Sequence, residues 1–439
     1  MAKKKWYQRI RWKVAAPILA CLVLFIYLVV SLIVSLFSHK NNYNIQTICS
    51  YNGKQTYAIV TKENRENPTA ISDYNFFGES LNLYFERYSL AMDRSATMAN
   101  KQIALVNQCN DEEILFDIPS SDEEGNLRII DKGIQLASLK DGFYSIYLKT
   151  NDKYSRFYYA TSLDNVTFNT VNRNGSYKKI ELIADSKYFD PIDEKKDEQS
   201  LLDKDYLYLN VTSQKAELNE DVDLVISTSP ALTSQGVSLV GEKISGLTEG
   251  EAVYQMALDI QSQLAEKGLN VLVAKNAADE DIQYYGVDGV LYRAYNSKAK
   301  YFIHLDMVMD DAIGVYYSRQ SSDSFARAIF EQLYQNTSLY SRETQLRICG
   351  SVYGALEESS DLVFDDVYEL REAGGVALGT GLYSQSAAAN AFASQNRQCM
   401  NSVNIVLYDL YDGAEGFNRN KENASIAIAN GIIKYLEIK

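Results

Sequence analysis

Imidazoles, thiols and nucleophile–base pairs carry most protein chemistry, and this chain is poor in all of them. Its 439 residues include two histidines, His39 and His304. A metal centre that needs two imidazoles cannot be built from that pair, because His39 adjoins an apolar run that reads as a membrane segment. Ser227-Thr228-Ser229 has no histidine beside it in sequence, and neither a CxxC pair nor a Gly-rich phosphate loop occurs. Gly374-Gly375 and Gly379-Thr380-Gly381 lack the preceding strand and following helix of a phosphate cradle and read as loop glycines.

The cysteines speak to compartment. Cys21 falls in the apolar run, and the other four form one pair per region, Cys49 with Cys109 and Cys349 with Cys399. Two per region permits two local disulfides in an oxidising space; four buried thiols are the alternative reading.

The elements that position these residues begin with a membrane segment. Val14 to Phe37 is a run of 24 uncharged residues. As a helix it would reach about 36 Å, enough to cross a bilayer core of about 30 Å. Lys3, Lys4, Lys5, Arg9, Arg11 and Lys13 precede it without an acidic residue, so residues 1–13 are expected in the cytoplasm and everything after Lys40 outside. A cleavable signal peptide is the competing reading, but its apolar core would span about 7–15 residues and end in small residues, unlike Leu36-Phe37-Ser38-His39-Lys40. Residues 1–40 hold seven of the 43 basic and none of the 57 acidic residues, so the exterior carries a net −21. Such a body repels nucleic acid, which is excluded as a partner.

Residues 41–190 read as a β-rich, sandwich-like domain. Gly142 to Thr150 alternates, Asn151-Asp152-Lys153 supplies a turn, and the aromatic stretch Arg156 to Ala160 follows as the second arm of a hairpin. The many tyrosines here suit half-buried strand positions, with sugar binding as the alternative use of their rings. The charged stretch 191–205 reads as a linker. From 206 to 439 the periodicity is that of an α/β domain with a mostly parallel sheet. Leu224-Val225-Ile226 is a short strand, and Val253, Ala257, Ile260 and Leu264 mark a helix over 251–267 that Gly268 ends. Strands follow at 270–273, 299–306, 314–318 and 405–410, with helices over 324–334 and 424–436.

The order of these elements resembles the zinc-dependent N-acetylmuramoyl-L-alanine amidases. The clearest segments are Glu251 opening the first long helix, Ala299-Lys300-Tyr301-Phe302-Ile303-His304-Leu305-Asp306 for the family strand that ends in histidine, Gly314-Val315-Tyr316-Tyr317 for the next strand, and Ala427 to Leu436 for the last helix. The resemblance implies a zinc held by two histidines and a glutamate, with a second glutamate for proton transfer. Carried over, the first histidine falls in Ser227 to Ala231, where no ligand exists, and the glutamate on Glu251. The second histidine falls on Asp306, with His304 two residues earlier on the same strand face, and the catalytic glutamate falls on Asp409. Glu251, Asp306 and Asp409 suit Ca²⁺ or Mg²⁺ better than zinc.

The apolar run and the resemblance together lead to the expectation of a single-pass, membrane-anchored envelope protein whose amidase-like domain is inactive, needs no cofactor and binds wall glycan, stem peptide or a protein partner. The alternative is an active, metal-dependent peptidoglycan amidase with a divergent site that keeps zinc.

Overall fold

The computed structural model describes residues 21–24, 26, 59–61, 63–71, 73–85, 101–108, 110, 112–118, 133–159, 166–185, 205–218, 220–229, 243–244, 247–308, 313–318, 322–340, 345–349 and 397–439; at some of these, including 345–349 and 408–416, only the backbone is described. The chain divides into a unit Met1–Tyr51 and a unit Asn52–Lys439. In the first, residues 21–24 and 26 are helical, with Leu22, Val23, Leu24 and Ile26 exposed. The rest of the expected membrane segment lies outside the described residues, and among those described no helix is long and apolar enough to cross a membrane.

In the second unit the strands are β1 (Arg65–Ile71), β2 (Asp73–Phe77), β3 (Ser80–Tyr84), β4 (Lys101–Asn107), β5 (Glu113–Asp117), β6 (Ile134–Gln135), β7 (Gly142–Thr150), β8 (Lys153–Tyr159), β9 (Val166–Asn169), β10 (Ser176–Asp185) and β11 (Tyr206–Lys215). They are followed by β12 (Leu224–Thr228), β13 (Lys243–Ile244), β14 (Leu247–Thr248), β15 (Val271–Val273), β16 (Tyr301–Val308), β17 (Gly314–Ser318), β18 (Gln345–Cys349), β19 (Gln398–Cys399) and β20 (Asn401–Asp409). The helices are α1 (Glu249–Glu266), α2 (Val290–Asn296), α3 (Ser324–Asn336) and α4 (Leu410–Tyr435).

Alternating apolar residues make the first half a sheet in the order β5-β4-β7-β8-β11-β10-β9, antiparallel throughout, with β1 added in parallel to β8. The expected hairpin is β7–β8, closed by the pair Thr150↔Lys153 and by Asn151 at φ 54°. A small sheet, β19-β2-β3-β6, shares its apolar face with the large one through Phe76, Leu81, Ile103, Leu105, Phe157 and Leu209. Strand β11 belongs here: it pairs with β10 from Ser176↔Lys215 to Asp185↔Tyr206. The α/β half thus starts at β12, later than the expected boundary at 206, because Tyr206 to Val211 are all buried in the N-terminal sheet.

The second half is a sheet in the order β15-β12-β16-β20-β17-β18. All neighbours are parallel except β20 and β17. On one face Leu224, Ile226, Ile303, Leu305, Val403 and Ile405 pack with α1, α3 and α4; on the other, Val225 and Phe302 pack with α2. The chain therefore leaves β12 over one face to reach β15 and returns over the other to reach β16. This reversal opens a crevice between β12 and β16 at the carboxyl ends of the strands, the place where open α/β sheets bind ligands.

Candidate functional site

The crevice is built from polar residues at alternate strand positions. Ser227 and His304 are direct register partners across β12 and β16. Ser229 and Asp306 follow two residues on, so all four side chains lie on one face of the sheet. Both ring nitrogens of His304 face hydroxyls: Nδ1 is 3.2 Å from Ser227 Oγ and Nε2 is 3.3 Å from Ser229 Oγ. Ser229 also donates to Asp306 Oδ1, which accepts the Met307 N–H at 2.8 Å. His304 is 2% exposed, and burial drives its pKa down to about 4, so the ring is neutral.

A carboxyl group at the start of α1 completes the cluster. Met307 N–H also points at Glu249 Oε1, 3.4 Å away. Burial, then the charge of neighbouring Asp306 and a hydrogen bond to it, raise the Glu249 pKa to about 8. Glu249 and Asp306 thus form a close carboxyl pair that resists full ionisation. Buried Lys275, just past β15, faces the same group; desolvation lowers its pKa to about 8 against the pull of Glu280 and Glu249.

The sequence-derived candidates are placed as follows. His304 and Asp306 come together, and Ser227 and Ser229, which have no histidine beside them in sequence, meet His304 across the sheet. Glu251 is exposed and takes a hydrogen bond from Thr248 Oγ1 at the helix N-terminus. Two helical residues are separated by about 200° around the axis, so Glu249 faces inward where Glu251 faces water. The stripe Val253, Met256, Ile260 and Leu264 extends back to 249, and this periodicity was the signal for the inward carboxyl. The backbone of Asp409 pairs with Val308 beyond Asp306, while its side chain lies outside the described residues. Cys399 is buried with its sulfur 3.7 Å from Asn75 Nδ2. Cys49, Cys109 and the side chain of Cys349 lie outside the described residues, and no disulfide joins described cysteines.

These groups do not fit the zinc set that the resemblance implies. The crevice holds a single imidazole, with a hydroxyl at each nitrogen, where the implied set needs two bare imidazole nitrogens. Among the described residues no three His, Cys, Asp or Glu side chains gather to hold a metal ion.

No protein-family profile matches the chain, and no curated protein does. Solved structures of N-acetylmuramoyl-L-alanine amidase catalytic domains match about half of it. The catalytic domain of CwlV from Bacillus (Paenibacillus) polymyxa var. colistinus matches at 18% identity and TM-score 0.32, over 50% of this chain and 100% of that one. AmiC2 of Nostoc punctiforme matches at 18% and 0.31, over 49% and 97%. Ami1 from Mycobacterium smegmatis matches at 13% and 0.30, over 50% and 99%.

Proposed function

We propose that this protein is a membrane-anchored, extracytoplasmic envelope protein whose amidase-like half binds a wall glycan, a stem peptide or a wall-associated partner without hydrolysing it. The observation that carries this reading is the side-chain set at the carboxyl end of β12 and β16. Ser227, Ser229 and Asp306 enclose His304, and Glu249 closes the cluster beside Asp306. Both ring nitrogens of His304 are engaged by hydroxyls, which supports a polar crevice floor better than a metal-bound water.

The N-terminal basic flank and the 24-residue apolar run support the anchor and the exterior placement of the body. Co-sedimentation of the purified protein with peptidoglycan sacculi tests the binding. Retention that weakens on Asp306→Asn supports the reading. Absence of retention both on sacculi and on extracts of envelope proteins overturns it.

A further inference from the structure

At the opposite end of the same sheet, where β16 and β20 begin, a cleft of about 250 Å³ opens between the two halves of the unit. Its walls include Glu79, Gln135, Ser138, Arg173, Tyr435 and Glu437. Tyr301, at the start of β16, also lines it; the five residues from there to Asp306 span about 16 Å, so the cleft is separate from the crevice described above.

The floor is a buried ion pair with one donor left over. Arg173 gives Nη1 to Glu79 Oε1 at 2.7 Å and to the Val171 carbonyl at 3.3 Å, Nη2 to Glu79 Oε2 at 2.6 Å, and Nε to the Leu436 carbonyl at 2.8 Å. A guanidinium has five N–H groups, so one on Nη2 is without a partner among the described residues, on a side chain that is 23% exposed. Acceptors line the same cleft. The Glu437 carboxylate is exposed, and Ser138 Oγ, which donates to the Gln135 carbonyl at 2.8 Å, keeps its lone pairs. Half-buried Tyr435 forms an apolar wall, its ring braced against Tyr301 and Phe325 at 5.8 and 5.0 Å.

The geometry points to a binding site for a single uncharged sugar ring. Hydroxyls both give and accept, which the Arg173 N–H on one side and Glu437 and Ser138 on the other require, and a ring face covers Tyr435. An ammonium offers no acceptor to Arg173. A carboxylate offers no donor to Glu437 and is opposed by the net negative charge of Glu79, Arg173 and Glu437 together. The volume lies below that of drug-sized pockets, about 300–1,000 Å³, and suits one ring.

The test is a titration of the full chain, in a detergent without a sugar headgroup, with N-acetylglucosamine, glucose, ethanolamine, acetate and alanine, read by calorimetry and saturation-transfer NMR. Saturable binding of a sugar is expected, weakened about fivefold by Glu437→Gln or Ser138→Ala, each equivalent to about one net hydrogen bond. Absence of sugar binding overturns the inference. So does tighter binding of ethanolamine, acetate or alanine, or a sugar affinity that neither Glu437→Gln nor Ser138→Ala weakens.

Discussion

Replacing Arg173 with methionine should be among the most damaging single changes in the unit Asn52–Lys439. Glu79 sits in the β2–β3 turn with a side chain 5% exposed. Burial alone would raise its pKa, yet the charge and hydrogen bonds of Arg173, with the Val171 N–H and the Tyr301 hydroxyl, hold it below 4.5. Arg173→Met leaves that carboxylate buried with two neutral donors, and stranding one member of a buried pair costs about 3–5 kcal/mol. It also frees the Leu436 carbonyl near the chain's last helix. The double variant Glu79→Gln/Arg173→Met removes both charges and should recover most of the loss. Urea denaturation of the four proteins of this cycle, followed by fluorescence, measures it. Because the native pKa of Glu79 is depressed, the pair's contribution is present above about pH 4.5 and is lost as pH falls through the lower native value, so the difference between wild type and Arg173→Met should shrink in acid. A single variant within about 0.5 kcal/mol of wild type, or a double variant as unstable as the single, would refute the reasoning.

His304, neutral when buried, should make the protein lose stability as pH falls from about 6.5 towards about 4, by about 3 kcal/mol in all, and His304→Gln should flatten this part of the pH–stability curve. Glu249 works in the opposite window: its raised pKa makes the contribution complete below 4.5 and lost as pH rises through about 8, so Glu249→Gln should stabilise at pH 9 relative to wild type. Glu251→Gln should change stability by less than about 1 kcal/mol, as a helix-terminal surface change; equal effects at 249 and 251 in thermal melts would contradict the assignment of the inward carboxyl. Protease added to intact cells should remove the body and leave residues 1–40 with the membrane, and a fully protected body would reverse the topology.

Much of the α/β half was legible in the sequence because its elements are periodic and bounded by glycine. Gly268, at φ 82°, ends α1 where expected, and Leu224-Val225-Ile226 is a buried strand. The membership of β11 was hidden, since a charged stretch beside an apolar strand marks a linker only when the strand's partner is known, and that partner, β10, precedes the linker. At the site, strand alternation placed His304 and Asp306 on one face. The resemblance supplied Glu251, which is exposed, while the inward stripe of α1 continues back to Glu249. The pairing of Ser227 with His304 depends on parallel register between strands separated by β13, β14, α1, β15 and α2, which no local pattern encodes.

The most direct test of the central claim is to purify the protein with zinc present throughout, determine its bound metal by mass spectrometry, and incubate it with peptidoglycan while monitoring release of stem peptides. The cluster around His304 predicts that zinc is lost on dialysis at neutral pH and that no stem peptide is released. Retained zinc at one equivalent, with release that disappears in Glu249→Ala or Asp409→Ala, would contradict the account.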